Sequence, residues 1–250
     1  MLISDAANLT NEVATEHVAV DVKAEARRLI GEGRSVVPIP KCEKGPRIKG
    51  WQNLAITADE VDAYFNATDL SIGVRRGKPS GWLVDVDLDC PEAVRLAKKY
   101  LPPTGMITGR EGRPGSHWWY ICAGCETKHY KDFKVTDGKA TTVELRSTRL
   151  QTVVGPSVFV AKDEARNPLP PSKYDVLTDE PACVSAEQLA AFVEALHQAV
   201  LKERGHEDQG KASDAKPKPV SGVQSRPGTG RVASLVAVPR NHRPRHGAQD

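Results

Sequence analysis

Three carboxylates stand at every second position of one short segment, Gly81-Trp-Leu-Val-Asp-Val-Asp-Leu-Asp-Cys90. Side chains on a strand alternate faces, so Asp85, Asp87 and Asp89 share one face with Leu83, while Trp82, Val84, Val86 and Leu88 take the other. Carboxylates this close repel each other unless a cation sits among them. Oxygen-only ligands suit Mg2+ or Mn2+. The alternative is an exposed edge strand whose acids face water. The apolar half argues against it, because it has the make-up of a buried core strand. Val143-Glu-Leu-Arg146 alternates in the same way and offers Glu144 as a third ligand beside a DxD pair. Glu144 and Arg146 then share a face, where they could hold a metal and a phosphate side by side. A cross-strand salt bridge is the competing reading of that pair. A third element is Ser116-His117-Trp-Trp-Tyr120, approached through Gly109, Arg110, Gly112, Arg113 and Gly115. Glycines before a strand let backbone amides meet an anion, and His117 would contact the same phosphate. The alternative is a histidine packed beside Trp119.

These residues need a scaffold, and the sequence gives its parts. Apolar spacing over His17 to Gly33 predicts an amphipathic helix, stopped by Gly31 and Gly33. Ser35 to Pro40 reads as an edge strand because two prolines forbid a full ladder. A basic loop follows from Lys41 to Gly50. Thr57-Ala-Asp-Glu60 is a capping box opening a short helix to about Asn66. Leu70 to Arg75 and Gly81 to Leu88 read as strands, and Pro91 starts a helix to about Tyr100. Met106 to Thr108, Ser116 to Cys122, Thr141 to Arg146 and Gln151 to Val154 are further strands. Ser185 caps a last helix carrying the stripe Leu189, Phe192, Val193, Leu196 and Val200. Helices and strands interleave without a regular βαβ beat, which predicts an α+β fold.

Composition sets the outer bounds. The chain has 250 residues, 39% hydrophobic and 27% charged, with a mean hydropathy of -0.43. No uncharged stretch approaches the ~18 apolar residues of a spanning helix. The N-terminus carries acids and no basic segment, so no secretory signal is expected. Five cysteines are too few, and odd in number, for a disulfide framework, so the expected compartment is the cytoplasm. Residues 211–250 hold eight Lys/Arg against two Asp/Glu, and the other 210 residues hold 27 against 30. The basic character therefore lies in the tail. With five prolines, four glycines and few large apolar side chains, that tail cannot offset its chain entropy by burial. The expected organisation is a flexible N-terminus over 1–15, one domain over 16–204 and a basic disordered tail over 205–250.

The three chemical elements, in this order, resemble the N-terminal domains of bifunctional DNA primase/polymerases, a branch of the archaeo-eukaryotic primase superfamily. Those domains show an apolar strand ending in DxD, a small-residue turn with a histidine before aromatics, and an apolar strand with one acid and an arginine before V-V-x-P-S. The counterparts here are Leu83 to Asp87, Gly115 to Tyr120, and Val143 to Arg146 followed by Val153-Val-Gly-Pro-Ser157. Lys49-Gly-Trp-Gln52 resembles the family's early GW segment, and Ser71-Ile-Gly-Val74 with Gly77 resembles its N-I-G-V-x-x-G segment. The similarity spans about residues 20–165. In two respects the chain departs from the pattern. Glu144 stands where the family often has Asp, and Pro114-Gly115-Ser116 replaces a glycine pair before the histidine.

The resemblance implies an RRM-like catalytic sheet with a small second lobe, and template-directed transfer of nucleotides from NTPs or dNTPs. It implies two divalent ions, Mg2+ or Mn2+, bridged by Asp85, Asp87 and Glu144, with His117, Ser116 and Arg146 holding the triphosphate. Asp89 stands outside that ligand pattern. Lys49, Arg75, Arg76 and Arg110 are, by charge alone, candidates for phosphates of substrate or template. The implied partners are a DNA template and primer, an NTP or dNTP, and a replicative helicase such as larger relatives carry in the same chain. No membrane partner is expected.

Other signals weigh less. Cys122-Ala-Gly-Cys125 with His129 supplies three of the four ligands a structural zinc wants, so a hairpin turn without zinc is expected. A metal-dependent nuclease or phosphatase is the alternative enzyme. A haloacid dehalogenase-type phosphatase wants Thr or Val where Asp89 stands. A non-catalytic nucleic-acid-binding replication accessory is the alternative outside enzymes.

Overall fold

A computed structural model describes residues 21–67, 70–135 and 140–206. The expected loose end over 1–15, the first residues of the helix begun at His17, and the basic tail from residue 207 onward lie outside them.

Among the described residues, eleven strands and four helices are arranged around two main sheets. The smaller sheet has three antiparallel strands, β1 (Val36–Pro40), β2 (Leu70–Arg75) and β8 (Gln151–Val154), in the order β1-β2-β8. Its edge strand β1 carries the two prolines, as their missing N–H groups require. Helix α1 (Val22–Gly31) begins at Asp21, whose side chain accepts from the Lys23 amide, and buries Ala26 and Leu29. Helix α2 is one short turn, Val61–Tyr64, behind the capping box of Thr57 and Glu60.

The larger sheet holds β3 (Leu83–Leu88) at its centre, flanked by β5 (Arg113–Ile121) and β7 (Thr141–Arg146). Beyond β7 lies β6 (Lys128–Lys131). Beyond β5 lie β4 (Ile107–Arg110), which pairs with its first half, and β11 (Ala182–Cys183), which runs parallel to its end. All other pairings in this sheet are antiparallel. A separate two-strand ladder joins β9 (Val158–Phe159) to β10 (Ser172–Lys173). The α+β class expected from the sequence is what the chain adopts.

Each face of the larger sheet has its own core. On one face Val84, Val86 and Leu88 of β3 pack with Trp118, Tyr120, Val143 and Leu145 beneath α3 (Pro91–Tyr100) and α4 (Ala186–Glu203). On the other, Leu83 and Trp119 join Ala26, Leu29, Val36, Ile72, Val74 and Val154 of the smaller sheet and α1. The alternation expected of residues 83–88 holds, and β3 is a fully buried strand. Trp82 is the exception. It precedes the strand with a positive φ of 65°, so it leaves the alternation and is only half-buried.

Two elements differ from the sequence reading. Strand β5 starts at Arg113 rather than Ser116, because a register shift in β4 between Thr108 and Arg110 absorbs Pro114 and Gly115. Strand β6 was absent from the expectation. Of Lys128, His129, Tyr130 and Lys131 only Tyr130 is buried, so this edge strand carries no apolar alternation to read. Gly77 turns the chain between the sheets with φ 72°. A Cβ there would lie 2.5 Å from the backbone nitrogen of Thr148, so the turn accepts only glycine.

Candidate active site

Antiparallel register lines up residues of successive strands on one face. His129 of β6 faces Glu144 of β7, Glu144 faces Asp87 of β3, Asp87 faces His117 of β5, and His117 faces Thr108 of β4. One transverse row therefore crosses five strands. The row behind it holds Trp119, Asp85 and Arg146. In front stands Asp89, just past the end of β3, whose N–H still donates to Thr142 O at 2.9 Å. That bond keeps Asp89 on the face of Asp85 and Asp87.

Asp85 is fully buried and its carboxylate is saturated. Oδ1 accepts from Arg76 Nη1 at 2.5 Å and from Arg146 Nε at 3.2 Å. Oδ2 accepts from Arg146 Nη2 at 2.8 Å and Thr152 Oγ1 at 3.1 Å, and lies 3.0 Å from His117 Nδ1. Arg76 also donates to Thr152 Oγ1 and, through Nη2, to Gln151 O at 2.6 Å. Arg76 follows β2 and Thr152 lies on β8, so this cluster joins the smaller sheet to the larger one. Burial pushes the Asp85 carboxyl up, but Arg146, Arg76 and His117 outweigh it and hold the group well below the usual carboxylate range. Burial, then the neighbouring Arg146, brings Arg76 down to about 10. Burial also works against the charge of Arg146, and Asp85 and Asp87 overcome it and raise that guanidinium above its ordinary value.

The front of the site is built differently. Asp87, Asp89 and Glu144 each place a carboxylate oxygen within 4.8 Å of the others. Arg146 Nη1 reaches Asp87 Oδ2 at 2.7 Å and Glu144 Oε2 at 4.0 Å. His117 Nδ1 lies 3.6 Å from Asp87 Oδ1, and His129 Nδ1 lies 2.7 Å from Glu144 Oε1. The cation nearest Asp89 is Arg113, at 3.9 Å. Burial first, then the charges of Asp87 and Glu144, push the Asp89 carboxyl up to about 6. Three hard oxygen donors this close fit a divalent ion of the Mg2+ or Mn2+ type. A cavity of about 390 Å3 opens beside Asp89, walled by the start of α3 and by Gly112, Arg113 and Pro114.

The residues expected at the site divide accordingly. Asp87, Glu144, His117 and Arg146 come together. Asp85 belongs to the row behind. Arg146 forms the cross-strand ion pairs that the sequence left open, with Asp85 and Asp87. His117 is also packed near Trp119, with ring centroids 6.4 Å apart. Ser116 is corrected: alternation turns it to the helix-covered face, where it is 3% exposed. Arg76 is corrected as a phosphate contact, being 1% exposed and paired with Asp85. Arg75 is corrected too, since it is buried and donates to Leu54 O, Gln52 O and Ser35 Oγ. Lys49 is exposed. Arg110 lies over the Phe159 ring, 4.9 Å from its centroid, and donates to Ser172 Oγ.

Cys122 and Cys125 are buried free thiols, and His129 is directed to Glu144 rather than to them. Sequence reasoning missed His129 as a site residue because its strand had no readable pattern. It undervalued Asp89, although the segment D-x-D-x-D contains two overlapping DxD pairs.

The model of the family "bifunctional DNA primase/polymerase, N-terminal" matches residues 26–186. No curated protein matches the chain. The matched span covers most of the chain and contains every strand of the site, so the chain belongs to this family.

Proposed function

We propose that this member of the bifunctional DNA primase/polymerase family transfers nucleotides from NTPs or dNTPs to a 3′-hydroxyl on a DNA template, at the acidic front of the larger sheet. The observation that carries the reading is the convergence of Asp87, Asp89 and Glu144 within 4.8 Å, on a sheet that lies inside the family match. Family membership implies an enzyme of the nucleotidyltransferase type and a divalent metal. Two ions and an origin in a mobile element are the finer parts of the proposal. Asp87 and Glu144, opposed across β3 and β7, would hold the metal with a further carboxylate of β3. When bound, divalent ions supply activation of the attacking hydroxyl and neutralisation of the leaving pyrophosphate.

The chain's own side chains do the rest. His117 is tethered through Nδ1 beside Asp85, which leaves Nε2 for a phosphate oxygen. Arg146 keeps two donors on Asp85, while its Nη1, now on Asp87, is the edge that can turn to a triphosphate. Arg113 borders the cavity beside Asp89 and adds a positive wall for polyphosphate. Lys44 and Arg110 approach Phe159 at 5.2 and 4.9 Å, a basic and aromatic pairing suited to a template strand. A helicase partner has no support in these features. No helix among the described residues is long and apolar enough to cross a membrane.

The test is incubation of the full chain with labelled dNTPs or NTPs, Mn2+ and template, with and without a primer. Labelled extension is expected, and it should be lost in Asp87→Asn. Template cleavage alone, or a gel shift without incorporation, would overturn the reading.

A further inference from the structure

The sheet edge on the β7 side of the acidic front ends in an exposed aromatic. Phe133 follows the edge strand β6 and is 89% exposed, while the next most exposed large apolar side chain among the described residues, Leu169, reaches 43%. A stray surface phenylalanine is ordinary. This one is held out by a built turn, and Asp132 builds it. The Asp132 N–H donates to Ala140 O at 2.7 Å, its carbonyl accepts from the Val135 amide at 3.2 Å, and its Oδ1 accepts from the Lys134 amide at 3.1 Å. Its Oδ2 accepts from Arg204 Nη1 at 3.1 Å and lies 3.2 Å from His206 Nε2. The one acid between Lys128 and Lys134 is thus turned inward, 1% exposed, and paired. Lys128, Lys131 and Lys134 stay exposed, and among the described residues none of them is in an ion pair.

We propose that the Phe133 turn and these three lysines form a docking surface for an unpaired DNA strand, with a base stacked on the Phe133 ring and the lysines on flanking phosphates. An aromatic face with a basic border is the chemistry that single strands require, and it tolerates any sequence because every base has a π-face. The place suits it. β6 runs in the direction of β3, two strand spacings or about 10 Å away. Its turn therefore lies at the end of the sheet where β3 gives out and Asp89 stands. Arg110, over Phe159, lies toward the same end on the other side of β3, because it pairs with Arg113 at the start of β5. A strand touching both borders would cross the acidic front. The described chain also ends here, with His206 against Asp132. Beyond it, residues 211–250 hold eight Lys/Arg against two Asp/Glu, a surplus of positive charge tethered beside the turn. The strand's role as template rests on the nucleotidyl-transfer reading, whereas its binding needs neither metal nor nucleotide.

The experiment measures binding of the full chain to a labelled single-stranded DNA of about 16 nucleotides, a length such grooves can cover. Fluorescence anisotropy reads it, in a chelator and without nucleotide, and a blunt duplex of the same sequence is the comparison. Phe133→Ala should weaken single-strand binding by about tenfold, the scale of one lost base stack, and leave duplex binding unchanged. Phe133→Trp should keep or strengthen it. Lys131→Gln combined with Lys134→Gln should flatten the slope of log affinity against log salt by about 1.4, or ~0.7 for each phosphate released. Phe133→Ala should keep that slope. Because the ring is exposed, its melting temperature should match wild type.

Undiminished single-strand affinity in Phe133→Ala would overturn the docking surface. So would an equal loss on the duplex, or a wild type that binds no single strand. A clear fall in melting temperature would show the ring covered by this chain's own residues, and a change of oligomeric state would show it covered by a second copy; either result overturns the proposal. Single-strand binding that depends on Phe133, in a protein that incorporates no nucleotide, would keep the surface and sink the polymerase reading. Incorporation by a chain whose single-strand affinity is indifferent to Phe133 would do the reverse.

Discussion

Asp85 on β3 and Asp89 just past its end stand four residues apart on one face, yet they sit in opposite electrostatic worlds. Behind the transverse row of His129, Glu144, Asp87 and His117, Asp85 is matched by Arg76, Arg146, His117 and Thr152, and it is held ionised well below the usual range. In front of it, Asp87, Asp89 and Glu144 crowd together, Asp87 and Glu144 share one edge of Arg146, and burial, then the charges of Asp87 and Glu144, push the Asp89 carboxyl up to about 6. A buried charge that is fully paired belongs to the fold. A cluster of charges left under-compensated needs something from outside. The contrast separates an acid that is paired within the fold from acids that are left under-compensated, although all are spelled with the same residue types.

The largest expected effect tests the under-compensated side. Asp87→Asn keeps the side chain's shape and removes a charge shared by metal and row. Nucleotide incorporation should fall by orders of magnitude, since metal stabilisation contributes several kcal/mol and each ~1.4 kcal/mol is tenfold. Thermal unfolding of this variant should stay close to wild type. An equal collapse of stability would erase the distinction drawn between the two regions.

Next comes the paired side. Asp85→Asn leaves the buried Arg76 guanidinium without its anion, and breaking a buried pair in this way costs about 3–5 kcal/mol. Denaturant unfolding should show that loss. Arg76→Met combined with Asp85→Asn should cost less than the sum of the two single changes, because the residues are directly coupled. Additive losses would mean that the joint is not a unit.

A smaller effect is expected at His129. Its Nδ1 contact orients Glu144 from the neighbouring strand, and outer partners of this kind are worth about 10–100-fold in metal affinity. His129→Ala should sit at the low end of that range, because half of the ring is exposed. Mn2+ titration checks it, and His129→Gln should restore part of the loss.

The smallest effect is a pH slope. Asp89 is held near 6 against an ordinary value of 3.8. Between these values the folded chain binds a proton that the unfolded chain lacks. Its contribution to stability is therefore present at low pH and lost as pH rises through about 6. Metal-free Asp89→Asn should show a flatter stability profile between about pH 4 and 6 and melt higher than wild type at pH 7. Melting scans in a chelator would show it.

Much of this contrast could be read from the residues, and the remainder could not for definite reasons. Alternation along 83–88 and 143–146 predicted which side chains share a face, because a central strand leaves both faces constrained. The shared faces of Asp87, Glu144 and Arg146 followed from it, whereas His117 was read from the glycine-rich approach to its own strand. Which of the two overlapping DxD pairs stays open depends on Arg76 and Thr152. They arrive from another sheet, and no spacing in the sequence announces that. Arg75 and Arg76 read alike as basic residues, yet both are buried and committed to internal acceptors. His129 was hidden by an edge strand whose polar, lysine-flanked sequence is what protects an edge from unwanted pairing.

The buried joint has a consequence for how the sheet assembles. A one-residue slip of β7 along β3 would carry Glu144 and Arg146 to the helix-covered face and bring Val143 and Leu145 against the acids. Hydrophobic burial rejects that error. A two-residue slip preserves every face, and burial alone cannot detect it. In one direction it would set Glu144 opposite Asp85 and bury two like charges together, while setting Arg146 opposite Leu83. The ion pair between Asp85 and Arg146 therefore acts as a checksum on strand alignment, reading the one class of misfold to which the apolar pattern is blind.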